Sequence, residues 1–163
     1  MISGNLVDIL DCDGCFMEYS DSMVFNSSPQ QVFDVVADIE KYPEFLRGWM
    51  SVEILQREDN KLLVDQQLGF PFMNWNFVAE ALLECPYHIH IQSSKSDFLN
   101  LVVDWHFSPL ENSKTRVILN IKTSSEPGPQ HRFLHGILTS SSTSILDSFR
   151  QRVEQQIAVT EIA

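Results

Sequence analysis

The stretch Asn74-Trp75-Asn76-Phe77-Val78-Ala79-Glu80-Ala81-Leu82-Leu83 decides the reading of this chain. Trp75, Phe77, Ala79, Ala81 and Leu83 fall on one side of an extended backbone. Asn76, Glu80 and Glu84 fall on the other, together with Val78 and Leu82. A period of two with one apolar and one mixed side predicts a strand that is covered on one face and wet on the other. A strand of an all-parallel sheet, buried on both faces, would read as a near-continuous apolar run.

The same pattern extends in both directions. Toward the C-terminus, Pro86 turns the chain, and Ile89 and Ile91 then oppose His88, His90 and Gln92. In 100–107, Leu101, Val103, Trp105 and Phe107 oppose Asp104 and His106. After a turn at 109–114, Val117, Leu119 and Ile121 form a last inner row, with Arg116 pointing outward. Toward the N-terminus, Gly69-Phe70-Pro71-Phe72 breaks the pattern. Before it come strands over 61–68 and 50–56, joined by Glu58-Asp59-Asn60, with Val52 and Ile54 on one face. In 61–68 the reading puts Leu63, Asp65 and Gln67 together on a face that mixes apolar and polar groups. Such short turns imply antiparallel neighbours.

Two kinds of helix frame these strands. Asn26, Ser27 and Ser28 are candidate N-caps, Pro29 suits a first helical position, and Val32, Phe33, Val36 and Ala37 follow at helical spacing. Residues 39–45 read as a second short helix interrupted at Pro43. At the other end, Leu134, Leu138, Ile145, Phe149, Val153 and Ile157 recur every three, four or seven residues, which predicts one long helix over about 130–157. Residues 17–25 read as a first strand. Residues 1–16 are expected to be an irregular extension, with a short strand conceivable over 5–10. The expected fold is α+β: one domain over 1–163, with a curved antiparallel sheet wrapped around a long C-terminal helix.

Composition narrows the function. The 163 residues carry 22 acids against 11 bases, a net charge of −11, with no cluster of Lys and Arg. Nucleic-acid backbones and anionic lipid surfaces are therefore poor partners, and any membrane contact is expected to be transient. No apolar run approaches the ~20 residues of a membrane span, and the acidic N-terminus does not read as a signal peptide. Three Cys are too few for a disulfide framework, so reduced thiols in a cytoplasm are the expectation. Eleven Phe suit a lined pocket as well as a packed core.

Three segments carry a family likeness. Ser28-Pro-Gln-Gln-Val-Phe-Asp-Val-Val-Ala-Asp-Ile-Glu-Lys-Tyr-Pro-Glu-Phe-Leu46 resembles the first helix and Tyr-Pro-x-Phe turn of the START-like superfamily. That superfamily covers polyketide cyclases, lipid-transfer domains and coenzyme Q-binding proteins, and the likeness is greatest to the coenzyme Q-binding branch. Phe98, Leu101, Trp105, Phe107 and Pro109 resemble its penultimate strand, and Ser148-Phe-Arg-Gln-Arg152 its C-terminal helix. The resemblance spans roughly 18–155. It implies a helix-grip fold with a deep apolar cavity, used by some members to carry quinones or lipids, by others to hold polyketides during ring closure, and in one bacterial branch linked to ribosome association.

The expected function is binding or transport of a hydrophobic small molecule, quinone-, lipid- or polyketide-like, in that cavity. The alternatives are a polyketide cyclase or aromatase and a ribosome-associated interaction module. Trp75, Phe77, Val103, Trp105, Phe107 and Leu138 are expected to line the cavity. Phe45, Trp49, Phe70 and Phe72 are expected at its mouth, and Tyr42 and Gln67 to supply polar contacts. No catalytic residue, cofactor or metal is expected. His88, His90 and His106 lie opposite the apolar rows and should face solvent, where they make poor bases for a buried substrate. His131 and His135 lie one helical turn apart without a third ligand nearby. Cys12-Asp-Gly-Cys15 and Cys85-Pro-Tyr-His88 together make only a weak zinc signature. Asp11-Cys-Asp13-Gly14 resembles a phosphatase nucleophile motif but lacks the parallel sheet that such chemistry needs.

Overall fold

The computed structural model describes residues 5–11, 14–70, 73–93, 99–125, 128, 132 and 145–162. The strands are β1 (Asn5–Asp11), β2 (Gly14–Phe25), β3 (Trp49–Glu58), β4 (Lys61–Phe70), β5 (Met73–Glu84), β6 (His88–Ser93), β7 (Leu99–Leu110) and β8 (Lys114–Ser125). Among the described residues, the helices whose bounds are defined are α1 (Pro29–Ala37) and α2 (Ile145–Ile162), with a 3₁₀ helix over Ile39–Glu44. All eight strands form one antiparallel sheet in the order β1-β2-β8-β7-β6-β5-β4-β3. Strands β3 to β8 meander edge to edge. The connection from β2 to β3, which carries α1 and the 3₁₀ helix, therefore spans the sheet from one side to the other.

Local chemistry sets the helix starts. Ser28 caps α1: its Oγ accepts from the Gln31 N–H at 3.3 Å, and Gln31 Oε1 accepts from the Ser28 N–H at 2.9 Å. This reciprocal box satisfies two otherwise orphaned donors. Val32, Phe33, Val35 and Val36 are buried. Gly48 leaves the 3₁₀ segment at φ 95°, a left-handed conformation that suits glycine, and its carbonyl accepts from the Gly69 N–H at 2.9 Å. Bulges between Trp49 and Ser51 and between Ile54 and Gln56 bend β3 at the far edge.

The core lies on the concave face, where rows of inward side chains run across the strands. One row runs Tyr19, Ile121, Val103, Ile91, Ala81 and Leu62, each opposite the next. The helix α2 lays Leu146, Phe149 and Val153 onto this face, with Ile145 and Ile157 half-buried beside them. No helix among the described residues is long and apolar enough to cross a membrane.

Three expectations change. Residues 5–11 form β1, paired with a β2 that begins at Gly14, so most of the segment expected to be irregular extends the sheet. The described C-terminal helix runs from Ile145 to Ile162, five residues past the expected end, while Leu134 and Leu138 lie outside the described residues. In β4 the buried face is Leu62, Val64, Gln66 and Leu68, not the Leu63, Asp65 and Gln67 face. Leu62, Leu63 and Val64 are consecutive apolar residues, so the sequence alone gave this strand no phase.

Candidate functional site

Burial along the concave face is uneven among the described residues. At the end under the helices aromatic rings pack together. The Phe149 ring packs edge-on against Trp105 at 4.8 Å, Phe45 at 5.1 Å and Tyr42 at 5.2 Å between centroids, and Phe33 of α1 meets Phe107 at 6.0 Å. Farther along the strands, Leu101, Val103 and Trp75 project from the same face yet stay only half-buried. Their row neighbours are buried: Thr123 beside Leu101, Ile121 and Ile91 beside Val103, and Leu68 beside Trp75.

Two polar pairs stand in this apolar interior. Tyr19 and Asp21 project inward from β2 opposite Ile121 and Leu119, and are 4% and 3% exposed. The Tyr19 hydroxyl donates to Asp21 Oδ2 at 3.2 Å, and the Ser22 N–H donates to Asp21 Oδ1 at 2.8 Å. Burial, reinforced by the Asp21 charge and by this hydrogen bond, pushes the Tyr19 phenol well above its ordinary range, so it remains a donor. Toward the opposite edge of the same face, Trp49 Nε1 donates to Oε1 of the buried Gln66 at 3.0 Å. Buried polar groups need such partners, and an interior that keeps them can orient the polar end of a guest.

The residues expected to line a cavity divide accordingly. Trp105 and Phe107 are packing residues, held by Phe149 and Phe33, and Phe77 is buried opposite Gln66. Val103 and Trp75 border the less filled end. Phe45 and Trp49 are half-buried around Tyr42. The Tyr42 hydroxyl is committed to structure: it donates to the Val36 carbonyl at 2.5 Å, and burial holds its ionisation far above the usual range. Gln67 points away from the interior and accepts from the Ser51 hydroxyl at 3.3 Å; the inward amide is its neighbour Gln66. The side chains of Phe70, Phe72 and Leu138 lie outside the described residues, as do Cys12, Cys15, His131 and His135.

Sequence reasoning passed over Tyr19 and Asp21. The signal was there: Met17, Tyr19, Met23 and Phe25 share one face of β2, and Asp21 interrupts that row. On the outer face, His88 and His90 are half-buried and His106 is exposed, all opposite the apolar rows as expected.

Comparison with known proteins supplies the context. The family model described as "Polyketide cyclase / dehydrase and lipid transport" matches residues 26–156. The "Ribosome association toxin RatA" of Pseudomonas aeruginosa is 23% identical over 125 residues, covering 76% of this chain and 86% of that protein. The mitochondrial "Coenzyme Q-binding protein COQ10 homolog B" of Xenopus laevis is 29% identical over 96 residues, covering 57% of this chain and 38% of that protein. The solved structure of a START superfamily protein from Mycobacterium smegmatis superposes with a TM-score of 0.69 at 17% identity, covering 85% of this chain and 98% of that one. The fold is thus START-like: a curved antiparallel sheet against a C-terminal helix.

Proposed function

Because the chain belongs to the polyketide cyclase / dehydrase and lipid transport family, we propose that it binds a hydrophobic small molecule against the concave face of its sheet, with the polar end of the guest directed to Tyr19 and Asp21. One observation carries this reading: a buried Tyr–Asp pair stands in an apolar face whose members Leu101, Val103 and Trp75 are not fully covered. A guest that removes about 300 Å² of apolar surface from water gains ~7 kcal/mol before ordering costs. That is enough for useful affinity without a catalytic step. A quinol or polyketide hydroxyl suits the Tyr19 oxygen, which can accept a hydrogen bond while its own proton is given to Asp21.

The test is native mass spectrometry of the purified chain with organic extraction, alongside a tryptophan-fluorescence titration with a short-chain ubiquinone. An extractable lipid or quinone, or saturable quenching, supports the reading. A bare polypeptide that shows no quenching refutes it.

A second reading, cyclase or dehydrase chemistry, draws support from the same pair, since enolisation needs a group that takes and returns a proton within reach of the substrate. Turnover of a model polyketide that is lost in Asp21→Asn with binding retained would favour it. Ribosome association, the property in the Pseudomonas relative's name, fits less well: a net charge of −11 opposes contact with RNA phosphates.

A further inference from the structure

The outer face of the sheet carries a side-chain cluster unrelated to the concave interior. Cross-strand pairing sets Glu84 opposite His88 and His88 opposite His106; on the next rung His90 lies opposite Asp104. All five side chains share the convex side. His88 Nδ1 lies 2.8 Å from Glu84 Oε2, and His88 Nε2 lies 2.9 Å from Asp104 Oδ1. His90 Nδ1 reaches the same Asp104 oxygen at 2.8 Å. The ring of His106 stacks on His88 at 4.5 Å and 13°.

We propose that His88 Nε2, His90 Nδ1 and the Asp104 carboxylate form a three-donor site for a divalent transition-metal ion of the zinc type. The donor atoms lie within 4.8 Å of one another. Tetrahedral coordination at the usual zinc distances separates adjacent donors by about 3.4 Å. To admit an ion at those distances the imidazole nitrogens withdraw from Asp104 by about half an ångström and, from a separation of up to 4.8 Å, close toward each other.

Two imidazoles and one carboxylate are a donor set that selects zinc, cobalt or nickel over magnesium or calcium. Glu84 is the positioning residue. Its carboxylate faces His88 Nδ1, which favours a proton there and leaves the Nε2 lone pair aimed at the site; carboxylate–histidine–metal arrangements use the same device. The donors stand on paired strands in the middle of the sheet, so the backbone holds their spacing. A cleft of about 520 Å³ bordered by Glu84, His88 and His106 gives an ion a route to His88 from solvent. The fourth coordination position is left for water or an external group. This site is independent of the concave interior and stands or falls separately from ligand binding there.

The test uses chelator-treated full-length protein titrated with Zn²⁺ by calorimetry and with Co²⁺ by visible absorption. One saturable site per chain is expected, with a tetrahedral cobalt spectrum. His90→Ala and Asp104→Asn each weaken binding at least tenfold, and Glu84→Gln weakens it by about 10- to 100-fold. In the wild-type protein, Zn²⁺ shifts the ring NMR signals of His88 and His90, a readout that needs no variant to fold. The proposal is overturned by the absence of saturable uptake, by a thiolate-to-cobalt charge-transfer band, by undiminished binding in the His90→Ala/Asp104→Asn double variant, or by ring shifts confined to the other histidines.

Discussion

The ring of Tyr42 meets the ring of Phe149 edge-on, 5.2 Å between centroids and at 84°. One residue belongs to the Tyr-Pro-x-Phe turn and the other to the Ser-Phe-Arg-Gln-Arg segment of α2. Arg152 adds a second tie between the same two segments: its guanidinium lies over the Phe45 ring at 5.3 Å and donates to Glu44 at 3.0 Å. The two most recognisable segments of the sequence are thus a single packing unit that anchors the terminal helix to the 3₁₀ segment leading into β3.

Phe149 is 1% exposed and touches three other aromatic rings, so Phe149→Ala is expected to destabilise the fold by about 3–5 kcal/mol through lost burial and the cavity left behind. Urea unfolding followed by circular dichroism measures this. Tyr42→Phe keeps the ring but orphans the Val36 carbonyl, and should cost about 1–3 kcal/mol. A loss below 1 kcal/mol for Phe149→Ala would mean that α2 is not anchored there.

The Glu44–Arg152 contact has a defined pH dependence. The hydrogen bond from Arg152, reinforced by the neighbouring charges of Lys41 and Arg152, holds the Glu44 carboxyl below its ordinary value of 4.5. A depressed carboxyl stabilises the fold above the unfolded-state value and loses that contribution as pH falls through the lower folded-state value. The melting temperature of the wild type should exceed that of Glu44→Gln at pH 7. The gap should close as the pH is lowered below about 4. The effect is small because the pair is exposed. A gap that stays constant to pH 3 contradicts the assignment.

Both Tyr19 and Tyr42 have ionisations raised by burial, so each favours the fold below the ordinary tyrosine value of 10.0 and costs stability as the pH rises beyond it. Tyr19→Phe and Tyr42→Phe should leave unchanged the tyrosinate absorbance that develops in the folded protein up to about pH 11. A reduction in either variant would show that the corresponding phenol reaches water.

Filling the less packed end should separate binding from stability. Val103→Phe or Leu101→Trp adds bulk where the native side chains are half-buried, so the melting temperature should hold or rise while uptake of a short-chain quinone falls at least tenfold. Destabilisation by 1–3 kcal/mol, the usual result of overpacking, would mean that this end is already full.

How far the sequence disclosed this arrangement depends on the strand. From β5 to β8 polar residues such as Asn76, Glu80, His88, His90, Asp104, His106 and Arg116 mark the outer positions often enough to set the phase, and the inward row of Phe77, Ala79, Ala81, Ile89, Ile91, Trp105, Phe107, Val117, Leu119 and Ile121 is the one that periodicity predicts. In β4 the adjacent Leu62, Leu63 and Val64 hide the phase, and the inward amide is Gln66 rather than the expected Gln67. In β2 the inward Asp21 was passed over because a carboxylate is the last residue expected on a covered face. It is held there by the Tyr19 hydroxyl and the Ser22 amide, contacts that only the folded chain reveals. The histidine and aspartate side chains of β6 and β7 read correctly as outward. Their convergence on one oxygen follows from cross-strand register, which a single strand's pattern does not contain.

The pairing of β2 with β8 has a temporal consequence. Met17 lies opposite Thr123, and Phe25 opposite Thr115. As the polypeptide is synthesised, β2 emerges well before β8, and its edge toward β8 must wait until nearly the whole meander has been made. The last seam of the sheet is therefore closed by two segments from distant parts of the chain, and long loop closures of this kind are slow. Refolding should show β3 to β7 gaining amide-exchange protection before the β2–β8 seam does.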